Sequence, residues 1–492
     1  MISLIKNELT KIFHKKAIYV IAIIAIGFMI LNIVLTKYFE SNVQKYNSND
    51  VEFYTDLLNG LDKSDPNYKE EYIAMKSQLE TAILLQKYDY DSWQWQVISS
   101  NSDKYIYPMI ELEGTENYEK AKNEYDSFVE KLNSGDWRTF VQAELDDVNE
   151  QIKTFEKQKL ESNNPNIDLQ LLDINVKKQA LEWRLEKDIP YGDSNKNEIL
   201  TRWEDSKKEL EMLKEQEKTK PLTYEEKYSK QNVEETVYLS EYDLKNNLKE
   251  NMYLNTDGDR WVLASDSDYS QINIFFNAQL FITIAIVVIA GTIVSEEFNK
   301  GTIKLLLVRP YKRIKILIAK FIACLIILIL TYVVMALAQF IFGGIMNGFN
   351  DYVGKASIYN FKTSSVEEIS TFKYMILSGL SILPQYLLIM TLAFSLSVLF
   401  INSPIAIALP LLGIMGAELI NELAYHYEKA KFLRFFVTPN WDLSIYLFGK
   451  LPQFEPISLP FSIAVCVVYF AIMLVTSLYI FKRKEIKNIW LL

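Results

Sequence analysis

Two apolar runs, residues 271–294 and 314–342, are each long enough to cross a bilayer as a helix, and no other feature narrows the fold so far. Hydrocarbon admits only structures that satisfy every backbone N–H and C=O internally, and unbroken apolar runs of this length specify helices. Between them lies a short charged connector, IVSEEFNKGTIKLLLVRPYKR, residues 293–313. Glu296 and Glu297 end the first run, Gly301 permits a sharp bend, and Pro310 stops a leucine-rich turn over residues 302–308 that carries Lys304. Six basic residues crowd this connector and the start of the next run, which puts it on the cytoplasmic side. An ordinary basic loop has no need of a leucine-rich turn bracketed by Gly and Pro. Such an element lies flat on the membrane or docks in a partner's groove.

The same stretch resembles the signature of ABC-2 type transporter permeases, the membrane halves of ABC exporters. The matching positions are Glu297, Gly301, Thr302, Leu305, Leu306, Leu307, Pro310, Arg313 and, inside the following span, Lys320. The resemblance implies that residues 295–313 are a coupling helix that inserts into a cytoplasmic ATPase dimer, with Glu297, Gly301, Thr302, Leu305, Leu306, Arg309, Pro310 and Arg313 as its contacts. It also implies that the N-terminal helix touches the ATPase through Ile5, Leu9, Ile12 and Phe13. ATP and Mg would then reside on that partner and no cofactor on this chain. A second permease chain, identical or related, would complete the transporter.

Charge is segregated along the 492 residues. Residues 38–270 hold about 50 acidic against about 29 basic side chains, near −21, while the rest is near +11 within a formal net charge of −10. A mean hydropathy near zero therefore averages very apolar runs with one long polar block. This is the pattern of a basic cytoplasmic side and an acidic domain on the opposite face. The only two cysteines, Cys324 and Cys466, fall in apolar runs, so the acidic domain must be stabilised by its core alone.

In chain order, residues 1–16 form an amphipathic interface helix, with Ile2, Ile5, Leu9, Ile12 and Phe13 at helical spacing and His14 on the polar face. Residues 17–36 are a retained first span rather than a cleaved signal, because no small-x-small site follows. Residues 37–270 are the extracytoplasmic domain. Val141, Leu145, Val148, Ile152 and Phe155 repeat at 4-3-4-3 spacing over residues 136–158, and residues 167–188 and 195–220 are helical again, making a coiled-coil-like arm. Residues 40–101 and 224–269 form a base beneath it. Trp93, Trp95, Trp183, Trp203 and Trp261 are either core and interface anchors or an acidic, aromatic surface for a cationic peptide ligand.

After the second span (271–294), the third (314–342) carries Lys320, expected to snorkel to the headgroups, with an ion-pathway role as the alternative. An outer loop (343–371) and a fourth span (372–400) broken by Pro384 follow, then a fifth span (405–420). Residues 421–459 are a re-entrant or amphipathic outer segment, 460–481 the sixth span, and 482–492 a basic cytoplasmic tail. Glu418 and Glu422 face either a dimer interior or the headgroups. The expected architecture is an all-α polytopic protein of the bacterial cell membrane, with six spans, both termini cytoplasmic and a large, mainly helical domain outside.

Catalysis has little support. His14 and His426 lie on opposite sides of the membrane, two cysteines are too few for zinc, and no phosphate-binding loop occurs. The chain is read as a permease subunit, not an enzyme. Its partners are an ATPase, a second permease chain and membrane lipids, and no nucleic acid. It would export or extract an amphipathic substrate such as an antimicrobial peptide, lipid or drug. The alternative is a mechanotransmitter whose outer domain regulates an envelope enzyme or sensor kinase without moving cargo.

Overall fold

The computed structural model describes the chain except residues 17–18, 29, 32–49, 90–91, 162–164, 193–194, 247–278, 304–310, 348, 350–353, 427, 453–456 and 485–492. It divides into two compact units, Lys37–Asn251 and the remainder, Met1–Thr36 with Met252–Leu492.

The first unit is wholly helical among its described residues. It contains α3 (Asp50–Asn59), α4 (Tyr68–Leu85), α5 (Trp93–Glu111), α6 (Tyr118–Ser134), α7 (Arg138–Glu161), α8 (Pro165–Glu186), α9 (Asn195–Thr219) and α10 (Tyr224–Asn246). Helices joined by short turns pack on their sequence neighbours, and two of the cores so formed share Trp93 and Tyr191 at their margins. One gathers Ile98, Ile106, Phe128 and Leu132 from α5 and α6 against Ile73 and Leu84 of α4. The other closes α7 on α8. There the 4-3-4-3 stripe is the inward face, with Val141 and Val148 buried and Leu145, Ile152 and Phe155 packed beside them. Gly135, at φ +77°, ends α6 and lets Asp136 start α7, its carboxylate accepting from the Arg138 N–H at 3.1 Å.

One expectation changes here and one alternative closes. Residues 224–246 are not part of a base, since α10 packs along α9. The α10 N-terminus is closed reciprocally: Thr223 Oγ1 accepts from the Glu226 N–H, and Glu226 Oε2 accepts from the Thr223 N–H at 2.7 Å. Nor can Trp203 belong to an exposed aromatic surface. It is fully buried beside Trp183, ring centroids 4.6 Å apart. Trp261 lies outside the described residues.

The second unit holds α1 (Ile2–Phe13) and the apolar α2 (Tyr19–Phe28), which lies within the first expected span. It continues with α11 (Gln279–Thr292), α12 (Ser295–Asn299), α13 (Arg313–Asn347), a hairpin of β1 (Lys355–Asn360) and β2 (Ser365–Ser370), α14 (Thr371–Phe400), α15 (Ser403–His426) and α16 (Leu459–Arg483). Among the described residues, five stretches are long and apolar enough to cross a membrane: Leu280–Asn299, Arg313–Phe342, Thr371–Phe400, Ser403–Asn421 and Leu459–Arg483. This unit is a multi-spanning helical bundle. Its centre is α11 against α14, each with two-thirds of its apolar stretch inside, whereas α15 and α16 keep less than a fifth inside.

Without a hydrophobic drive between helices in lipid, small residues and hydroxyls hold such a bundle. A side chain at Gly291 would meet the Ala406 backbone of α15 at 3.0 Å, so the two helices touch there. Ser295 reaches Ser403 at 2.7 Å, Ser477 donates to Ser395 at 2.9 Å, and the Tyr332 hydroxyl donates to the Gly379 carbonyl at 2.7 Å.

On residues 343–371 the all-α expectation needs an addition. The stretch is not simply a loop: β1 and β2 pair antiparallel, with Ile358 opposite Glu367, and Ile358 and Ile369 pack against Met375 and Phe448. Among the described residues of 421–459, the chain beyond the end of α15 runs through the 3-10 segments Glu428–Phe435, Thr438–Asn440 and Ser444–Tyr446 rather than amphipathic α-helices. They are tied down by buried Asn440. Its Nδ2 donates to the Arg434 and Phe436 carbonyls, both at 2.7 Å, and its Oδ1 accepts from Ser462 of α16 at 2.9 Å.

Candidate functional site

The site grows from helix α1. Its buried residues are Leu4, Glu8 and Ile12, one turn apart on a single stripe, with Ile5 and Leu9 half-buried beside them and Phe13 exposed. Ile12 joins the main bundle core, and α1 packs on α13. A glutamate in the middle of that stripe would be costly unless something answered its charge.

Lys320 of α13 answers it. Its side chain is fully buried, 0 % exposed, and Nζ lies 2.7 Å from Glu8 Oε2 and 2.8 Å from Glu297 Oε2. The other oxygen of each glutamate is held by Lys11, at 2.9 Å for Glu8 and 2.7 Å for Glu297. Four charges of alternating sign thus close a ring: Glu8, Lys320, Glu297, Lys11. Each carboxylate spends one oxygen on each lysine, and the ring is neutral. Lys320 also donates to the Ile293 carbonyl at 3.3 Å. Outside the ring, Lys15 pairs with Glu296 and donates to Thr292 at 3.0 Å, while Lys300 pairs with Glu296 at 2.5 Å.

Snorkelling of Lys320 is therefore overturned. The reason is tertiary: α1 packs over this part of α13 and supplies a carboxylate to the Lys320 ammonium. Taking a lysine out of water costs several kcal/mol, offset here by two short ion pairs. The ring also sets the protonation of α1. Burial pushes the Glu8 carboxyl up, but Lys320 and Lys11 outweigh it and hold it below the ordinary carboxylate range. Burial pushes Lys11 down, and the Glu297 and Glu8 carboxylates more than reverse this, so its ammonium sits above the usual lysine range.

The ring joins three elements: α1, the bend α11–α12, and α13. Glu297 lies in the first turn of α12. Gly301 follows at φ +70°, a conformation that glycine adopts without strain, and Thr302 donates to the Glu297 carbonyl at 3.3 Å. Ile303 is buried. Lys304, Leu305, Leu306, Arg309 and Pro310 lie outside the described residues. Arg313 is turned elsewhere, donating to the Lys484 carbonyl at 3.0 Å. Glu418 and Glu422 fall on α15, with their side chains outside the described set. A cleft of about 600 Å³ opens between α1 and α12, lined by Asn7, Lys11, His14, Lys15, Lys300 and Thr302 among others.

Sequence reasoning singled out Glu297 and Lys320 but missed Glu8 and Lys11. The available signal was an acid interrupting an apolar stripe, four residues from Leu4 and four from Ile12, in a chain with a lysine about two turns inside a span. Among the described residues, no group of three or more His, Cys, Asp and Glu could hold a metal ion.

Fold and site define a multi-pass membrane protein whose N-terminal interface helix is fastened to the bend between two spans by a charge ring that is buried at Lys320 and Glu8 and open to solvent at Lys11. Residues 246–487 match a family described as "Protein of unknown function (DUF2705)". The chain is 28% identical over 260 residues to "Uncharacterized protein YhcI" of Bacillus subtilis (strain 168), covering 53% of this chain and 78% of that one. It is also 28% identical over 205 residues to "Uncharacterized membrane protein YdbK" of the same organism, covering 41% of this chain and 76% of that one. No solved structure matches it.

Proposed function

We propose that this chain is the membrane-spanning permease subunit of an ABC transporter, driven by ATP hydrolysed on a separate cytoplasmic ATPase dimer. The observation that carries this reading is the closed ring of Glu8, Lys320, Glu297 and Lys11. It makes α1 and the bend before the connector one mechanical body, anchored on α13. A push on the leucine-rich connector would then be delivered to α1 and to the spans on either side of the bend instead of being absorbed by a loose loop. Six spans with both termini cytoplasmic, the acidic domain outside, and pairing with a second permease chain complete the reading. The cargo would be an amphipathic peptide, lipid or drug, exported or extracted from the membrane. ATP and Mg belong to the partner, whose chemistry this chain only receives.

The test is affinity purification of the full-length chain from its native membranes, with mass spectrometry of what accompanies it. An ABC ATPase in the complex, lost on Leu306→Asp while the membrane chain stays monodisperse, is the expected result. A chain that brings down no ATPase sinks the reading. The mechanotransmitter reading draws on the size of the separate Lys37–Asn251 unit. It would be favoured by a stable ATPase complex whose turnover ignores every peptide and lipid added.

A further inference from the structure

On the side of the bundle that carries α1, the lysines are treated in two ways. Lys11, Lys15, Lys300 and Lys320 each have a glutamate within 3 Å. At the neighbouring corner, the start of α13 and the end of α16 are joined by the Arg313 guanidinium, which donates to the Lys484 carbonyl at 3.0 Å. Lys484 in turn donates from Nζ to the Val398 and Leu399 carbonyls, at 2.7 and 3.1 Å, closing the C-terminus of α14. Three helix ends therefore meet at one point. Within two residues of this joint stand Lys312 and Lys315 on one segment and Lys482 and Arg483 on the other. All four are exposed, and among the described residues none is paired with a carboxylate. The corner is also half apolar. Tyr311, Ile314 and Tyr479 are exposed there, and the Arg483 guanidinium lies over the Tyr479 ring, 4.4 Å from its centroid.

We propose that this corner is a binding site for the phosphate headgroup of an anionic phospholipid, held between the start of α13 and the end of α16. Tertiary folding brings together cations from segments about 170 residues apart, and like charges so gathered repel one another unless an anion sits among them. At a membrane surface the abundant anion is the lipid phosphate. Its acyl chains would lie along the exposed apolar flank of α16, where Val468, Ile472 and Val475 face outward. Arg and Lys beside an aromatic ring at headgroup depth suit a phosphodiester: the cations take the charge and the ring takes the glycerol and upper chain. The lipid would brace the joint of three helix ends next to the charge ring. The inference rests on the multi-pass membrane reading, not on ATPase coupling.

The full-length chain is extracted from nanodiscs of phosphatidylcholine with a minority of phosphatidylglycerol, and the lipid that stays bound is counted by native mass spectrometry. Phosphatidylglycerol should be retained preferentially. Each cation removed should lower its retention about fivefold, so Lys315→Gln with Lys482→Gln should all but abolish it. Lys6→Gln with Lys16→Gln, exposed lysines of the N-terminal segment, should leave it unchanged. Equal loss from both pairs would mean diffuse attraction and would overturn the site, as would full retention in Lys315→Gln/Lys482→Gln. Displacement of the lipid by millimolar inorganic phosphate would show a small-anion site in place of a lipid site. Because both pairs are exposed, an unchanged melting profile in detergent separates loss of lipid from loss of fold.

Discussion

Replacing Lys320 by Met isolates what the charge ring contributes. In the native ring two acids and two lysines sum to zero, and the Glu8 and Glu297 side chains are only 5 % and 12 % exposed. Lys320→Met keeps the side-chain volume but leaves both carboxylates facing Lys11 alone, a net charge of −1 in a buried site. Removing one partner of a buried pair costs about 3–5 kcal/mol. Because Lys11 still touches both acids, the lower end applies, about 3 kcal/mol, or more than a hundredfold in the docking equilibrium of α1. The reporter is Ile12→Cys, at a position only 2 % exposed, probed with a membrane-impermeant maleimide in opened vesicles. The two native cysteines are buried and add little background. Labelling should rise at least tenfold in Lys320→Met. It should fall back by more than half when Glu8→Gln is added, since the stranded charge is then gone. If Lys320→Met labels like its parent, α1 is not held by the ring. If the double variant labels as fast as the single, packing rather than charge is responsible.

Other outcomes can be checked separately. Glu8 is held below its ordinary value of 4.5, so its contribution is complete above that pH and fades only as pH falls through the lowered value; Lys11 is held above 10.5, so its contribution is complete below that pH and fades as pH rises through the raised one. Labelling at position 12 should therefore be flat between these limits once corrected for maleimide chemistry, and a step near neutrality would contradict the ring. Gly291→Val should destabilise the bundle by about 1–3 kcal/mol through overpacking against the Ala406 backbone, read as a lower melting temperature in detergent. Asn440→Ala removes three hydrogen bonds that pin the 3-10 turns and should cost about 1–3 kcal/mol. Cys466, whose Sγ donates to the Asn440 carbonyl at 3.3 Å, should then become reactive to thiol reagents; unchanged reactivity would show that the turns stay docked without it.

Much of the architecture was legible in the residues because lipid restricts the choices so severely. A run such as residues 314–342 can only be a helix, and Arg313–Asn347 is one. The stripe from Val141 to Phe155 named its own buried face, since a period near 3.5 leaves one side apolar. The β1–β2 hairpin was missed because its strands are short and largely polar, with Glu367 and Glu368 where an apolar alternation would have shown it. The placement of α10 was missed because its apolar and polar residues are mixed. It is the company of α9 that tells which side is inside.

The candidate site shows the same division. Local sequence determined that α1 is an amphipathic helix, that Gly301 turns the chain, and that α13 carries Lys320 well inside its apolar run, because helical periodicity, backbone sterics and hydrocarbon each act within a few residues. It did not determine the fate of Lys320. An isolated span would send that lysine to the headgroups. Here Glu8, 312 residues away, and Glu297 meet it first, and a buried ammonium with two carboxylates has no reason to leave. Charge in a low-dielectric interior is settled by whichever partners the tertiary fold delivers, and no stretch of sequence specifies them alone.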